Sequence, residues 1–266
     1  MTAPTPPAGG RRGDKDRPGG SPLVGGRSDS GRLARAQGRA WEAMFLAVRT
    51  YHRLRARPAH HGPTWPVFRI DADTVALTVD DGPDPRWTPA LLDLLARYDV
   101  RATFFLIGER VTAHPELARR IAAAGHRIGN HSLRHPMPFA ALPTAALRTE
   151  ITHAQQRILD ATGVRAELFR APSGGWSAKV LAATADAGLV PVDWTVNSSD
   201  WKEPGVGHIT RTLSRARPGH ILLCHDGGGD RSQTVAALDT VLPRLLRRGL
   251  RFAPVPGRST TTDRET

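Results

Sequence analysis

Between residues 66 and 256, short runs of β-branched and aromatic residues alternate with stretches whose apolar positions recur every three or four residues. Residues 75–79 read as a strand ended by Gly82-Pro83, and residues 88–98 carry Leu91, Leu92, Leu94 and Leu95 at helical spacing. Pro89 sits where a first helical turn tolerates it. A second strand follows at 102–106, then a helix at 115–124 stopped by Gly125. Further short strands fall at 128–130, 168–169, 190–192, 221–223 and 252–255, separated by helices near 144–162, 177–187, 209–216 and 234–248. Each parallel crossover needs a helix, so seven strands with intervening helices predict one α/β domain. A (β/α) barrel, closed or incomplete, fits the count better than two domains, and no internal repeat is visible.

The first 57 residues follow a different pattern. Residues 1–31 are Pro, Gly, Ser and Arg with almost no large apolar side chain, a composition that predicts disorder. Residues 32–57 show a helical stripe of Trp41, Met44, Phe45, Val48 and Tyr51, with Arg35, Arg39, Arg49, Arg53 and Arg57 on the other side. Such a basic amphipathic helix either docks its stripe on the α/β domain that follows or lies on an anionic membrane surface. Residues 258–266 are again polar and expected to be disordered. Composition then changes one inference. The net charge of +12 suggests a nucleic-acid binder, but residues 1–57 hold twelve basic against four acidic side chains, two thirds of the excess. Residues 1–40 contain no aromatic residue to stack on bases, so no nucleic-acid partner is expected. Cys224 is the sole cysteine, which excludes a disulfide framework and a Cys-rich metal site; on an apolar strand it reads as core. No apolar run reaches the ~18 residues a membrane span needs, and no export signal is visible.

The polar residues that could do chemistry stand at predicted strand ends. Asp80-Asp81 ends the first strand, His131 the third, Arg170 the fourth, and His225-Asp226 a later one. In a barrel that edge is where the loops converge on a site. Asp-Asp-Gly-Pro alone is equally the composition of a solvated turn, and His131 and His135, four apart, are equally a surface turn beside Pro136 and Pro138. Taken together, Asp81, His131 and His135 form a one-oxygen, two-nitrogen set suited to zinc, with a coordination position left open. Asp80 is then free to take a proton, and His225 to give one.

The clusters TVDDGP (78–83), HSLRH (131–135), RAPSG (170–174), DW (200–201) and LCH (223–225), in that order, resemble the five motifs of the NodB-like polysaccharide deacetylases, carbohydrate esterase family 4. The resemblance spans about residues 70–256, and 66–257 is taken as the catalytic domain. It implies a distorted (β/α) barrel. It further implies Asp80 as base, Asp81, His131 and His135 as ligands of a divalent metal (zinc first, cobalt, nickel or manganese otherwise), and Arg170 as the arginine orienting the base. By the same resemblance His225 is the general acid, Asp200 the carboxylate tuning it, and Leu223 with Trp201 the pocket for an acetyl methyl group.

Two departures stand out. Ser173 occupies a position where the family carries tyrosine; its backbone N–H survives for an oxyanion, but a flat ring is lost. Trp176 is either a substitute stacking surface for sugar or a locally packed side chain. Asn197 stands where a further aspartate is usual. The expected activity is removal of N-acetyl groups from N-acetylglucosamine-type glycans, peptidoglycan or chitin-like. Ester deacetylation of xylan and non-catalytic glycan binding are the alternatives. The expected partner is a glycan substrate, with an anionic membrane surface as a second one if residues 32–57 lie on it instead of docking, and the protein is expected to be a monomer. Sequence alone points to a cytoplasmic or membrane-peripheral location, whereas the implied substrate points to the cell envelope.

Overall fold

The structure, a computed structural model, describes residues 66–70 and 73–257. The expected tail at 1–31, helix at 32–57 and C-terminus at 258–266 lie outside the described residues. Eight parallel strands form the sheet: β1 (Thr74–Gly82), β2 (Thr103–Leu106), β3 (Arg127–Asn130), β4 (Leu168–Phe169), β5 (Val190–Pro191), β6 (Val196–Asn197), β7 (Ile221–His225) and β8 (Arg251–Phe252). Seven run in the order β5-β4-β3-β2-β1-β7-β6, and β8 pairs with the start of β1. The helices are α1 (Trp87–Arg97), α2 (Gly108–Ala113), α3 (Pro115–Ala123), α4 (Thr144–Thr162), α5 (Ala178–Asp186), α6 (Val206–Leu213) and α7 (Ser232–Arg247).

Helices cover the sheet, so its central strands are buried on both faces and read as near-continuous apolar runs. Val75, Leu77 and Val79 of β1, Phe104 and Leu106 of β2, and Leu222 and Cys224 of β7 share one core with the leucines of α1 and α7. Each fully buried leucine there contributes roughly 1.5–3 kcal/mol. The alternate positions Thr78, Asp80, Phe105 and Leu223 fall on the opposite face by the two-residue period. Apolar pattern thus selects the helix-packed face, and the remaining side chains are turned toward the barrel interior.

Residues 66–70 tie the β5 edge to the start of β7. Val67 N–H donates to Pro191 O at 2.8 Å, Asp193 N–H to Val67 O at 2.8 Å, and Ile70 N–H to Gly219 O at 3.1 Å. The sheet is therefore the incomplete, distorted form of the predicted barrel. The predicted count of about seven strands holds for the sheet; the two-residue β6 lies at 196–197, where no apolar run marks a strand. The six-residue α2 was likewise not predicted; it abuts α3 at His114 and is too short for an apolar stripe. At the C-terminal end, strand pairing stops at Phe252 rather than running to 255.

Candidate active site

Asp80 and Asp81 end β1, which pairs with β2 on one side and β7 on the other. Adjacent residues of a regular strand point to opposite faces, so both carboxylates reach one site only if the register breaks. It does: Asp80 pairs with Phe105 and Gly82 with Leu106, leaving Asp81 as the extra residue, at φ 73°. The bulge puts Asp80 Oδ2 and Asp81 Oδ1 at 3.7 and 3.4 Å from the same atom, His131 Nε2. Asp81 Oδ1 also lies 3.5 Å from His135 Nε2.

His131 leaves the end of β3 and His135 follows one tight turn later, their ring centroids 5.0 Å apart. His131 Nδ1–H donates to Arg170 O at 2.7 Å, which fixes the tautomer and leaves the Nε2 lone pair facing Asp81. Burial, then the neighbouring His131 charge, lowers the pKa of His135 and favours its neutral, ligating form. Burial opposes ionisation of Asp81, but the approach of His131 and the charges of His225, His131 and His135 outweigh it and hold the carboxyl well below the usual range. Among the described residues, Asp81, His131 and His135 form a cluster whose potential ligand atoms all lie within 4.8 Å of one another. Asp81 Oδ1 is buried and has no hydrogen-bond partner among them. A buried carboxylate oxygen left unpaired beside two ring nitrogens is what a cation site requires, so the donor set fits a divalent metal.

Arg170 follows β4 and is fully buried. Its Nη1–H groups donate to Asp80 Oδ1 and Thr78 Oγ1, both at 2.7 Å, and Nη2–H to Asp193 O at 2.9 Å. The guanidinium lies 4.2 Å over the Phe105 ring. These partners fix Asp80 Oδ1 and leave Oδ2 facing His131 Nε2.

Across the site, Asp80 pairs in register with His225, the last residue of β7. His225 N–H donates to Asp200 Oδ2 at 2.9 Å, and its Nδ1–H to Asp200 Oδ1 at 2.8 Å. Thr234 O–H completes the carboxylate's shell at 2.9 Å. Burial works against a charged His225, but the Asp200 charge and hydrogen bond, with Asp81 and Asp80, raise its pKa to about 9. The ring is thus an imidazolium at neutral pH, with Nε2–H as its free donor.

Leu223, two residues before His225 and in register with Thr78, shares the Asp80 face and is 3% exposed. Trp201 is 49% exposed in the turn Asp200–Lys202, with Lys202 Nζ 4.8 Å from its ring. Ser173 is exposed in the loop after β4, at φ 53°, its Oγ 2.9 Å from Met137 Sδ. Trp176 packs edge-on against Phe169, centroids 5.9 Å apart, in the small core of α4 and α5. Of its two sequence readings, local packing is the one this contact describes. Cys224 is fully buried in the main core.

Thr78 and Thr234 were not singled out by the sequence pattern. Thr78 had a detectable signal: it lies two residues before Asp80 on a strand and so shares its face. Thr234 had none, because only the packing of α7 brings it to Asp200.

Residues 69–192 match the polysaccharide deacetylase family. The chain is 39% identical over 198 residues to a chitooligosaccharide deacetylase of Rhizobium leguminosarum bv. trifolii, covering 70% of this chain and 92% of the relative. The chain belongs to the polysaccharide deacetylase family. This carbohydrate deacetylase is also 40% identical over 195 residues to a peptidoglycan-N-acetylglucosamine deacetylase of Bacillus cereus, covering 72% of this chain and 90% of that one. The family 4 carbohydrate esterase of Streptomyces lividans, solved with acetate, superposes with TM-score 0.64 at 35% identity, covering 68% of this chain and 92% of that one. The sequence resemblance to the NodB-like enzymes is borne out by these matches. Among the described residues of the deacetylase, no helix is long and apolar enough to cross a membrane.

Proposed function

We propose that this deacetylase removes N-acetyl groups from N-acetylglucosamine-type residues of chitin-like oligomers or peptidoglycan, releasing acetate. The observation that carries the reading is the pairing of Asp80 and His225 in register on adjacent strands, on the side where Asp81, His131 and His135 converge. The names of the two sequence relatives, which act on these two glycan types, support the substrate class.

Asp81, His131 and His135 would hold a divalent cation, zinc by donor chemistry, with cobalt, nickel or manganese as alternatives. Such a cation supplies Lewis acidity toward water and the acetyl carbonyl. Asp80, its Oδ1 clamped by Arg170, uses Oδ2 to take a proton from water. The new C–O bond forms as the carbonyl becomes tetrahedral, and the Ser173 N–H is the backbone donor assigned to the oxyanion. His225 Nε2–H then delivers its proton to the amide nitrogen as the C–N bond breaks, giving acetic acid and an amine; Asp80 gives up the proton it took, the acid's proton restores His225, and one water and one amide have become acetate and an ammonium group. Asp200 keeps that proton in place until needed. Leu223 forms the apolar wall for the methyl group, and Trp201 the outer contact for sugar.

The charge state of His225 favours amide over ester hydrolysis. An amine must leave protonated, and an imidazolium supplies that proton. An ester's oxygen leaves more readily and gains less from it.

The test is acetate release from N-acetylglucosamine oligomers and from acetylated xylan, each with and without chelator. Chelator-sensitive release from the N-acetylated oligomers is expected. Faster release from xylan would assign the site to ester hydrolysis, and oligomer binding without acetate would make the protein a glycan-binding homologue.

A further inference from the structure

The turn carrying both histidines is organised by a carboxylate outside the ligand set. Every backbone N–H from His131 to His135 has an acceptor. His131 donates to Leu106 O at 2.9 Å, Ser132 to Asn130 Oδ1 at 2.9 Å, and His135 to Ser132 Oγ at 3.0 Å. The two N–H groups between them, of Leu133 and Arg134, both donate to Glu150 Oε2, at 3.0 and 2.9 Å. Glu150 projects from α4 and is 1% exposed. Its other oxygen, Oε1, accepts from Arg134 Nε at 2.8 Å and lies 2.7 Å from Nη2.

A buried carboxylate is costly unless its hydrogen bonds are filled, and these four contacts all come from Leu133 and Arg134, two of the three residues between the ligands. The turn itself is unfavourable backbone: Ser132 at φ 69° and His135 at φ 57° occupy the left-handed region that non-glycine residues avoid. Something must hold it there. On the opposite side, Ser132 O and Leu133 O accept from the N–H groups of Gly108 and Glu109, at the start of α2. A Cβ on Gly108 would come within 2.9 Å of the Ala154 backbone, so glycine lets α2 and α4 close on the turn from both sides.

We propose that Glu150 is a positioning residue for the metal site, setting the separation of His131 and His135 by clamping the Leu133 and Arg134 N–H groups. The inference rests on the reading of Asp81, His131 and His135 as ligands.

The test is zinc affinity of the full chain, by competition with a chromophoric chelator, together with the visible absorption of the cobalt form. Glu150→Leu is expected to bind zinc about 10–100-fold more weakly than wild type, with an altered cobalt spectrum. Glu150→Gln keeps one oxygen for the two N–H groups and should fall between. Arg134→Ala keeps both N–H contacts and should bind as wild type does. A Glu150→Leu variant with a lowered melting temperature but unchanged zinc affinity would overturn the proposal, reducing Glu150 to a stabiliser of the fold. Equal losses in Arg134→Ala and Glu150→Leu would overturn it too, assigning the effect to the ion pair. Should Glu150→Leu not fold, Glu150→Gln decides, weaker zinc binding supporting the proposal and wild-type affinity refuting it. His131→Ala, measured in parallel, separates the two readings. If wild type binds zinc no better than His131→Ala, the ligand set itself fails and the role of Glu150 falls with it.

Discussion

Asp200→Asn removes one charge from beside His225 while preserving the side chain's size. In the wild type, burial alone would lower the His225 pKa, yet the Asp200 charge and hydrogen bond, with the charges of Asp81 and Asp80, raise it from 6.5 to about 9. That interval is worth about 3 kcal/mol, the margin by which the imidazolium is favoured. Without that charge only Asp81 and Asp80 are left to oppose burial, and the pKa falls below the wild-type value. At pH 8 the wild type keeps most of the ring protonated, and the variant keeps less of it. The assay is the pH dependence of kcat/KM for acetate release, which reports groups of the free enzyme. The wild-type alkaline limb should lie near 9 and the variant's at lower pH, with activity partly recovered on acidification. An alkaline limb that stays near 9 in Asp200→Asn would refute the assignment of His225 as the acid tuned by Asp200. Stability carries a second signature. A group whose pKa is raised on folding stabilises fully below its unfolded value, and that contribution is lost as pH rises from about 6.5 through about 9. Asp200, depressed on folding because His225 overcomes its burial, contributes above the ordinary carboxylate range and loses that contribution on acidification. The melting-temperature gap between wild type and variant should therefore be widest near pH 5–6.5 and narrow toward pH 9.

Three further outcomes follow from the same geometry. Asp80→Asn should lower kcat about 10²–10⁴-fold while zinc affinity, measured by competition titration, stays near wild type; retained turnover would remove Asp80 from its role. Arg170→Met leaves the buried Asp80 carboxylate without its guanidinium and should cost about 3–5 kcal/mol in denaturant unfolding, so a variant as stable as wild type would show that Asp80 needs no partner. Cys224, fully buried with its thiol pKa pushed up by burial and by Asp200 and Asp80, should resist thiol reagents in the native protein and react only at the rate of unfolding. Rapid native-state labelling would contradict its place in the core.

The chain's own pattern determined the alternation of strands and helices, because strands buried on both faces must be apolar throughout and amphipathic helices must repeat every three or four residues. It also placed the chemistry: Asp80, His131, Arg170 and His225 stand at strand ends in the linear chain, and parallel strands bring all such ends to one rim. Family resemblance supplied the roles of Asp200, Leu223 and Trp201. Tertiary structure decided what linear spacing cannot express. The bulge at Asp81 turns two adjacent carboxylates toward one histidine, an outcome that depends on register with β2 and not on local composition. The contacts of Thr234 with Asp200 and of Glu150 with the histidine turn join residues 34 and at least 16 positions apart, and exist only because helices pack where they do. Strand β6 and the six-residue α2 are likewise tertiary products: β6 is marked by its pairing with β7 and not by an apolar run, and α2 is too short to show a helical stripe.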